Sequence, residues 1–313
     1  MNKYLVTGAM GFIGSHWCEH LLKQGNIVYG IDIYNKYPEL LRHKNFIFIQ
    51  DTITNYSMIK DYINKVDLVF HFASIAEPKQ YVDNPRKVIS VAGIAALNII
   101  DLCRVAEKRI MFTSTSEIYG KNPNVPFEEN DERHLGSTET NRWCYSTSKA
   151  IAEHYLFACA QTNEIDFITV RLFNVYGPRL VGRVVSNFII KALKNEDIII
   201  TNDGKQTRSF TYVEDVINAF DLLINSNNSL NNVFNIGSKI ETSILDIASM
   251  IISKSESNSK VIFQNEKEYY GKSYEDINRR TPVVDKIKNY VGWEASTSLE
   301  IGIDKTINYF KNS

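Results

Sequence analysis

Two side chains four residues apart, Tyr145 and Lys149 in the stretch YSTSK, have the types needed to move a proton together. On a helix that spacing sets both on one face. A nearby ammonium favours the phenolate and lowers a tyrosine pKa that is ordinarily about 10. A phenol prepared in this way can take the proton of an alcohol while hydride leaves the same carbon. Thr115, in TSTSEIYG (Thr113 to Gly120), follows an apolar run and could hold the same oxygen and share its proton. Taken alone, such a pair is more often a helix that packs an aromatic ring and exposes a lysine. What stands upstream decides between the two.

Upstream is a seat for a hydride acceptor. KYLVTGAMGFIGS reads as an apolar run, Tyr4 to Val6, followed by Gly8, Gly11 and Gly14 spaced G-x-x-G-x-x-G. The run suits a short buried strand and the residues after Gly14 a helix, which leaves the glycines in the turn between. Such a turn requires positive φ and a close approach of backbone to ligand, which side chains would obstruct. Amides and dipole at the helix start then offer a place for a pyrophosphate, with Phe12 and Ile13 alongside. Asp32 closes the next apolar run, Ile27 to Ile33, where a dinucleotide fold needs a carboxylate for the ribose. The same charge would repel a ribose 2′-phosphate, so the expected cofactor is NAD rather than NADP. A glycine-rich turn that binds nothing is the alternative, and Asp32 weighs against it.

These residues need a scaffold, and the chain alternates strand and helix as far as Tyr176. Candidate strands are Tyr4 to Val6, Ile27 to Ile33, Phe46 to Gln50, Leu68 to Phe72, Arg109 to Thr113 and Asp166 to Leu172; the clearest helices are Pro85 to Arg104 and Ser146 to Gln161. That order predicts an α/β fold, a doubly wound parallel (Rossmann) sheet with right-handed crossovers and ligands beyond the carboxyl ends of its strands. After Pro178 the rhythm changes: Val184 to Leu193 reads as a helix, Asp197 to Thr201 as a strand and Asp203-Gly204 as a turn. Val213 to Ile224 and Asn231 to Ile236 look like a return to the first pattern. The expected division is a Rossmann domain, 1–177 plus 211–238, and a smaller, discontinuous α/β substrate domain, 178–210 plus 239–313.

Composition sets the outer bounds. The 313 residues, 44% hydrophobic and 23% charged, are ordinary for a globular chain. A formal net charge of −1 argues against nucleic-acid and membrane-surface partners. The four cysteines have neither metal-ligand spacing nor the density of a disulfide framework, and the histidines fit no metal arrangement, so no metal is expected. His71 reads as packed behind the cofactor, and Cys144 as a bystander beside Tyr145. No signal peptide is evident and no apolar run approaches the roughly 20 residues of a membrane span, which makes a cytoplasmic enzyme the expectation.

Eight stretches together, TGAMGFIG, HFASIAEP, TSTSEIYG, YSTSK, RLFNVYGPR, GRVVSNFI, DGKQTRSFTYVEDV and RRTPVV, closely resemble the extended short-chain dehydrogenase/reductases that act on nucleotide sugars. The likeness covers nearly the whole chain. It implies that Asp51, Thr52 and Ile53 border the adenine and that Ala73, Ser74 and Ile75 run behind the cofactor. Asn174 would meet the sugar-nucleotide phosphates; Arg183, Val185, Phe188 and Arg208 resemble a uridine-diphosphate pocket, with Arg208 on the diphosphate. Tyr274 would cap the nucleotide or the sugar. Members of the family commonly pair through the helices around Tyr145, so a homodimer is expected.

Epimerases, dehydratases and decarboxylases of this family share an opening oxidation. YYGKSYEDINRRTP, Tyr269 to Pro282, resembles bacterial UDP-glucuronate decarboxylases. In them the arginine matching Arg280 faces the substrate carboxylate and the carbon that is reprotonated. A planar guanidinium can grip two carboxylate oxygens and stays charged; Arg279 beside it is the weaker candidate. Glu117 would orient the sugar or manage a proton. Ser116 stands where nucleotide-glucose 4,6-dehydratases carry an aspartic acid, although nucleotide-mannose dehydratases share the Thr-Ser-Glu. Glu77-Pro78 departs from the Thr-Pro or Ser-Pro of the decarboxylases, and a carboxylate reaching the sugar there would repel a uronate. The expected reaction is therefore decarboxylation of UDP-glucuronate after oxidation at C4, giving UDP-xylose or the 4-keto pentose. A 4,6-dehydratase or 4-epimerase of an NDP-hexose stands as the alternative, and a non-catalytic NAD-binding protein as a remote one.

Overall fold

The computed structural model describes residues 1–313. Its centre is a sheet of seven strands: β1 (Lys3–Thr7), β2 (Ile27–Asp32), β3 (Phe46–Gln50), β4 (Leu68–His71), β5 (Arg109–Thr115), β6 (Phe167–Leu172) and β7 (Asn232–Ile236). They lie in the order β3-β2-β1-β4-β5-β6-β7, and every neighbouring pair is parallel. The direction of winding reverses between β1 and β4, where Thr7 pairs with His71. Ligands of doubly wound sheets bind at that crevice.

Side chains alternate across the strands. Tyr4 and Val6 face one apolar cluster and Leu5 the other, as do Phe70 and Met111 against Val69, Ile110 and Phe112. The first face is covered by α1 (Phe12–Lys23), whose Trp17 and Leu21 are buried there. The second is covered by α2 (Pro85–Val105) and α3 (Cys144–Gln161). Further along come α4 (Val184–Leu193) and α5 (Val213–Ile224), the latter returning to the first face with Phe220 and Leu223. Most boundaries fall where the apolar runs predict them. β5 runs two residues further, to Thr115, so this threonine is the strand's last residue.

α2 is 21 residues long, and its most apolar 18-residue window has a mean hydropathy of 1.9, enough by length and composition alone to cross a membrane. No unbroken apolar run reveals it, because Arg86, Lys87, Ser90, Asn98 and Asp101 interrupt the stretch. In the fold, Val88, Ala92, Ala95, Ala96, Ile99, Ile100 and Cys103 are buried, while Ile89, Ile94 and Val105 remain exposed.

Beyond β6 the chain builds small sheets. Thr207–Ser209 pairs antiparallel with Glu241–Ser243 and parallel with Arg279–Arg280; Ile198–Thr201 pairs in parallel with Val261–Gln264. The apolar cluster on the α1 face does not stop at the seven-stranded sheet. It continues through Tyr176, Leu180, Phe210 and Tyr212 to Phe188, Ile189, Ile247, Trp293 and Ile303.

Candidate active site

The glycine turn is shaped by contacts that only glycine allows. Gly8 has φ +72°, and a Cβ there would come within 2.8 Å of the Ala73 amide nitrogen across the switch point. A Cβ on Gly14 would strike the Gly8 carbonyl oxygen. Gly11 differs from the expectation: it is the extended N-cap of α1, with φ −78° and no side-chain cap on the amides that follow. Asp32 ends β2 with its carboxylate turned toward this turn, accepting from the Met10 amide at 2.9 Å and the Tyr34 amide at 3.0 Å. Phe12 and Ile13 are half-buried at the helix start. The Asp51 carboxylate accepts from the Thr52 amide and from Asn55, both at 2.7 Å, at the end of β3; Ile53 is buried and Thr52 exposed. Half-buried Ala73, Ser74 and Ile75 follow β4, and the buried Ser74 hydroxyl has no hydrogen-bond partner. A bare helix start, a turn that a side chain would fill, a carboxylate at the second strand's end and an unused hydroxyl fit a dinucleotide.

Tyr145 and Lys149 lie on one face of the first turns of α3, as their spacing predicts, and both are buried. The Lys149 ammonium donates to the Thr113 carbonyl at 2.8 Å and stands 6.0 Å from the centroid of the Tyr145 ring. Burial, and then the Glu117 charge, push the Tyr145 phenol above its ordinary value, while Arg183 pulls the other way. Burial also lowers Lys149 to about 7, against an opposing pull from Glu153 one turn on. A lysine next to a tyrosine acidifies it only in so far as the lysine is charged, and desolvation works against that charge. The Tyr145 ring is stacked on Tyr81, centroids 4.7 Å apart and planes 9° from parallel. His71 is fully buried against Thr7, Nδ1 to Oγ1 2.8 Å, and burial lowers it to about 3.

Thr115 caps the 3₁₀ turn Ser116–Tyr119 by accepting from the Glu117 amide at 3.2 Å, so the turn's own geometry aims the glutamate. Glu117 is buried between two arginines: Arg142 Nη1 donates to Oε2 at 2.6 Å, and Arg280 Nη1 lies 3.3 Å from Oε1. Burial alone would raise its pKa, but Arg142 and Arg280 outweigh it and hold the carboxyl at about 2. Arg280, also buried, donates from Nη2 to Asn174 Oδ1 at 2.8 Å; its Nη1 is misaligned for hydrogen bonding to Glu117, and both Nη1 and Nε have no hydrogen-bond partner. Asn174 holds this position in a left-handed backbone conformation, φ +34°, with its amide on the Ser209 carbonyl. Arg208 lies next to Arg280 in the three-stranded sheet and is held by Asp276 at 2.8 Å. Tyr274 is buried, stacked on Tyr270 and within 5.4 Å of the Arg142 guanidinium.

The expected residues thus gather, with exceptions. Val185 and Phe188 are buried in the main apolar cluster. Arg279 turns outward onto Glu241, at 2.8 and 2.9 Å. Glu77 is exposed in the turn before Pro78–Asp83, with Oε1 3.9 Å from where a Gly182 Cβ would stand, and makes no ion pair. Ser116 is buried. Sequence reasoning missed Arg142 and Tyr81. Arg142, three residues before Tyr145, had only its proximity to signal it; Tyr81 had no signal at all.

Comparisons with known proteins show the family. The family described as the NAD dependent epimerase/dehydratase family matches residues 4–237. UDP-glucuronic acid decarboxylase 1 of Xenopus tropicalis is 33% identical over 318 residues, covering 99% of this chain and 72% of the relative. UDP-N-acetyl-alpha-D-glucosaminuronate decarboxylase of Bacillus cytotoxicus is 34% identical over 322 residues, covering 99% and 98%. Among solved structures, UDP-glucuronic acid 4-epimerase from Bacillus cereus, in complex with UDP-glucuronic acid and NAD, is similar with a TM-score of 0.89 at 26% identity and 99% of both chains covered. The family match over residues 4–237 and the whole-length likeness to these relatives lead to one conclusion: the chain belongs to the NAD dependent epimerase/dehydratase family.

Proposed function

We propose that this protein decarboxylates a nucleotide-activated uronic acid, UDP-glucuronate, after oxidation at C4. The observation that carries the reading is Arg280, a buried guanidinium with two nitrogens that have no hydrogen-bond partner beside a site rich in arginine. Arg142, Arg208 and Arg280 are offset by Glu117 and Asp276, and Arg183 lies close enough to lower the Glu117 carboxyl. Such an excess of positive charge suits a ligand carrying a diphosphate and a carboxylate. NAD, when bound, supplies the hydride-accepting ring. Tyr145 takes the C4 hydroxyl proton, with Thr115 holding the oxygen and Lys149 supplying positive charge. Once C4 is a ketone the uronate is a β-keto acid. The C5–C6 bond then breaks, carbon dioxide leaves, and its electron pair enters an enolate whose oxygen Tyr145 faces. Arg280 grips the carboxylate beforehand, and Glu117 keeps Arg280 oriented. Ser116 and Asn174 line the sugar and phosphate side, Arg183 and Arg208 the diphosphate, and Tyr274 the cap. Protonation at C5 gives the UDP-4-keto pentose, with the hydride left on the cofactor; return of that hydride to C4, and of the Tyr145 proton to the C4 oxygen, gives UDP-xylose.

The same reading divides the chain into a cofactor domain, 1–177 with 211–238, and a substrate domain, 178–210 with 239–313. It also pairs two copies through α2 and α3, where Ile89, Ile94, Val105 and Ile151 are 42 to 63% exposed. A second reading, 4-epimerisation of the same uronate, is favoured by the likeness to the Bacillus cereus enzyme. Incubation with NAD and UDP-glucuronate separates the two. Carbon dioxide release with matching loss of product mass supports the decarboxylase; an isomer of unchanged mass supports the epimerase. Dehydration of a neutral NDP-hexose, with UDP-glucuronate untouched, would overturn both.

A further inference from the structure

α2 is not a uniform helix. Between α-helical Pro85–Ile89 and Ala95–Val105, residues Ser90–Ile94 form one π-helical turn. π turns have poorer hydrogen bonds than α turns and occur mostly as single insertions, frequently at functional sites. One inserted residue rotates everything downstream by about 100° relative to a continuous helix. Here the insertion leaves Ala92 and Gly93 both buried, side by side, toward the start of α3.

The contact made there is close. A Cβ built on Gly93 would lie 3.2 Å from Ser148 Oγ, 3.3 Å from its Cβ and 3.7 Å from its Cα. Ser148 has little room to yield, being 4% exposed with its hydroxyl donating to the Cys144 carbonyl at 2.8 Å. It sits between Tyr145, one turn earlier, and Lys149, the next residue. Ala92 shares a small apolar cluster with Val88, Tyr81 and Tyr145 itself. The Tyr145 ring is thus stacked on Tyr81 and packed with the π turn's small side chains, while Gly93 sets how near α3 approaches.

We propose that Gly93 is a positioning residue for Tyr145, its missing side chain letting α3 approach the π turn closely enough to hold the phenol at its working position; this rests on the proton-transfer role assigned to Tyr145 above. Gly93 acts through Ser148 and Ala92 and touches neither substrate nor cofactor. A misplacement on the order of 1 Å costs a reacting group about a hundredfold in rate, so a shift of a few tenths of an ångström is expected to lower kcat about tenfold. Gly93→Ala is expected to do this while leaving KM and NAD affinity within about twofold of the wild type, because the glycine turn and the arginines lie on other elements. Adding Ser148→Gly to Gly93→Ala removes the clash and is expected to restore most of kcat. Ala92→Gly, which withdraws a methyl from the Tyr145 cluster without adding bulk, is expected to lower kcat about threefold at constant KM.

Product formation, followed as carbon dioxide release or product mass together with NADH absorbance, is measured with whichever UDP-sugar the wild type turns over, alongside NAD binding and thermal melting. If that sugar is neutral, the uronate reading fails and the Gly93 comparison stands. The proposal is overturned if Gly93→Ala keeps kcat within twofold. It is equally overturned if a folded, NAD-binding Gly93→Ala variant stays slow after Ser148→Gly. Should Gly93→Ala not fold, an unchanged kcat in Ala92→Gly overturns it.

Discussion

Glu117 faces two guanidinium groups with one carboxylate, and removing it would leave both buried without their counter-charge. Glu117→Gln is expected to lower stability by about 3–5 kcal/mol in urea unfolding, the range for breaking a buried pair from one side, and to abolish turnover. Because the folded carboxyl sits at about 2, below its ordinary 4.5, its stabilisation is complete above 4.5 and is lost as pH falls through 2. The gap between variant and wild type should therefore be flat from neutral pH down to about 5. Lys149 has the opposite cost. Its folded value of about 7 lies below the ordinary 10.5, so the unfolded chain binds the extra proton between those values. Stability rises with pH across that window, and the penalty is full only below it. Cofactor-free Lys149→Met should be more stable than the wild type at pH 6 by on the order of a few kcal/mol, with the difference fading toward pH 10.5. At this scale the sequence showed which groups could react, because tyrosine, lysine and Thr-Ser-Glu carry their chemistry in their types. It did not show their charge states. The Tyr145 phenol shifts upward through burial and Glu117, and both depend on tertiary packing that spacing does not record.

At the scale of elements, apolar runs located the strands well, since a parallel sheet buries both faces of each strand and leaves continuous hydrophobic stretches. Period and length also found α2 and α3. The π turn within α2 was not legible, because SVAGI has no residue that demands it. Gly14 and Asp215 allow two tests. Gly14→Ala should abolish NAD binding by calorimetry while the protein stays folded, as the added Cβ strikes the Gly8 carbonyl in the turn where α1 begins. Asp215, in the first turn of α5, accepts from Ser296 Oγ and from Thr297 through its amide and hydroxyl, at 3.0, 3.0 and 3.1 Å, and its carbonyl accepts from Trp293. Asp215→Ala should cost about 1–3 kcal/mol in urea unfolding by removing the charge-assisted hydrogen bonds from Ser296 and Thr297, with NAD affinity unchanged.

For the whole molecule, the exposed apolar residues of α2 and α3 predict self-association. Ile94→Lys with Ile151→Lys should move the sedimentation coefficient to that of a 35.9 kDa monomer, and a wild type that is already monomeric would contradict the pairing. The seven-stranded sheet and its winding could be anticipated from the alternation of elements. The continuity of the core beyond it could not, since residues such as Trp293 and Ile303 declare themselves apolar without naming their partners. That continuity bears on how substrate gets in and out. The cluster running from Val6 and Phe70 through Tyr176 and Tyr212 to Phe188 and Trp293 works like a shared keel. Swinging one half away from the other would bring apolar surface into water at about 25 cal/mol per Å². Exchange of nucleotide sugars would be cheaper by local breathing of the short segment around Gly271–Asp276, which is fastened by Ser273 to Asn141, by Glu275 to Lys121 and Trp143, and by Asp276 to Arg208. Turnover would then be timed by a handful of hydrogen bonds at the rim, while the body of the enzyme stays still.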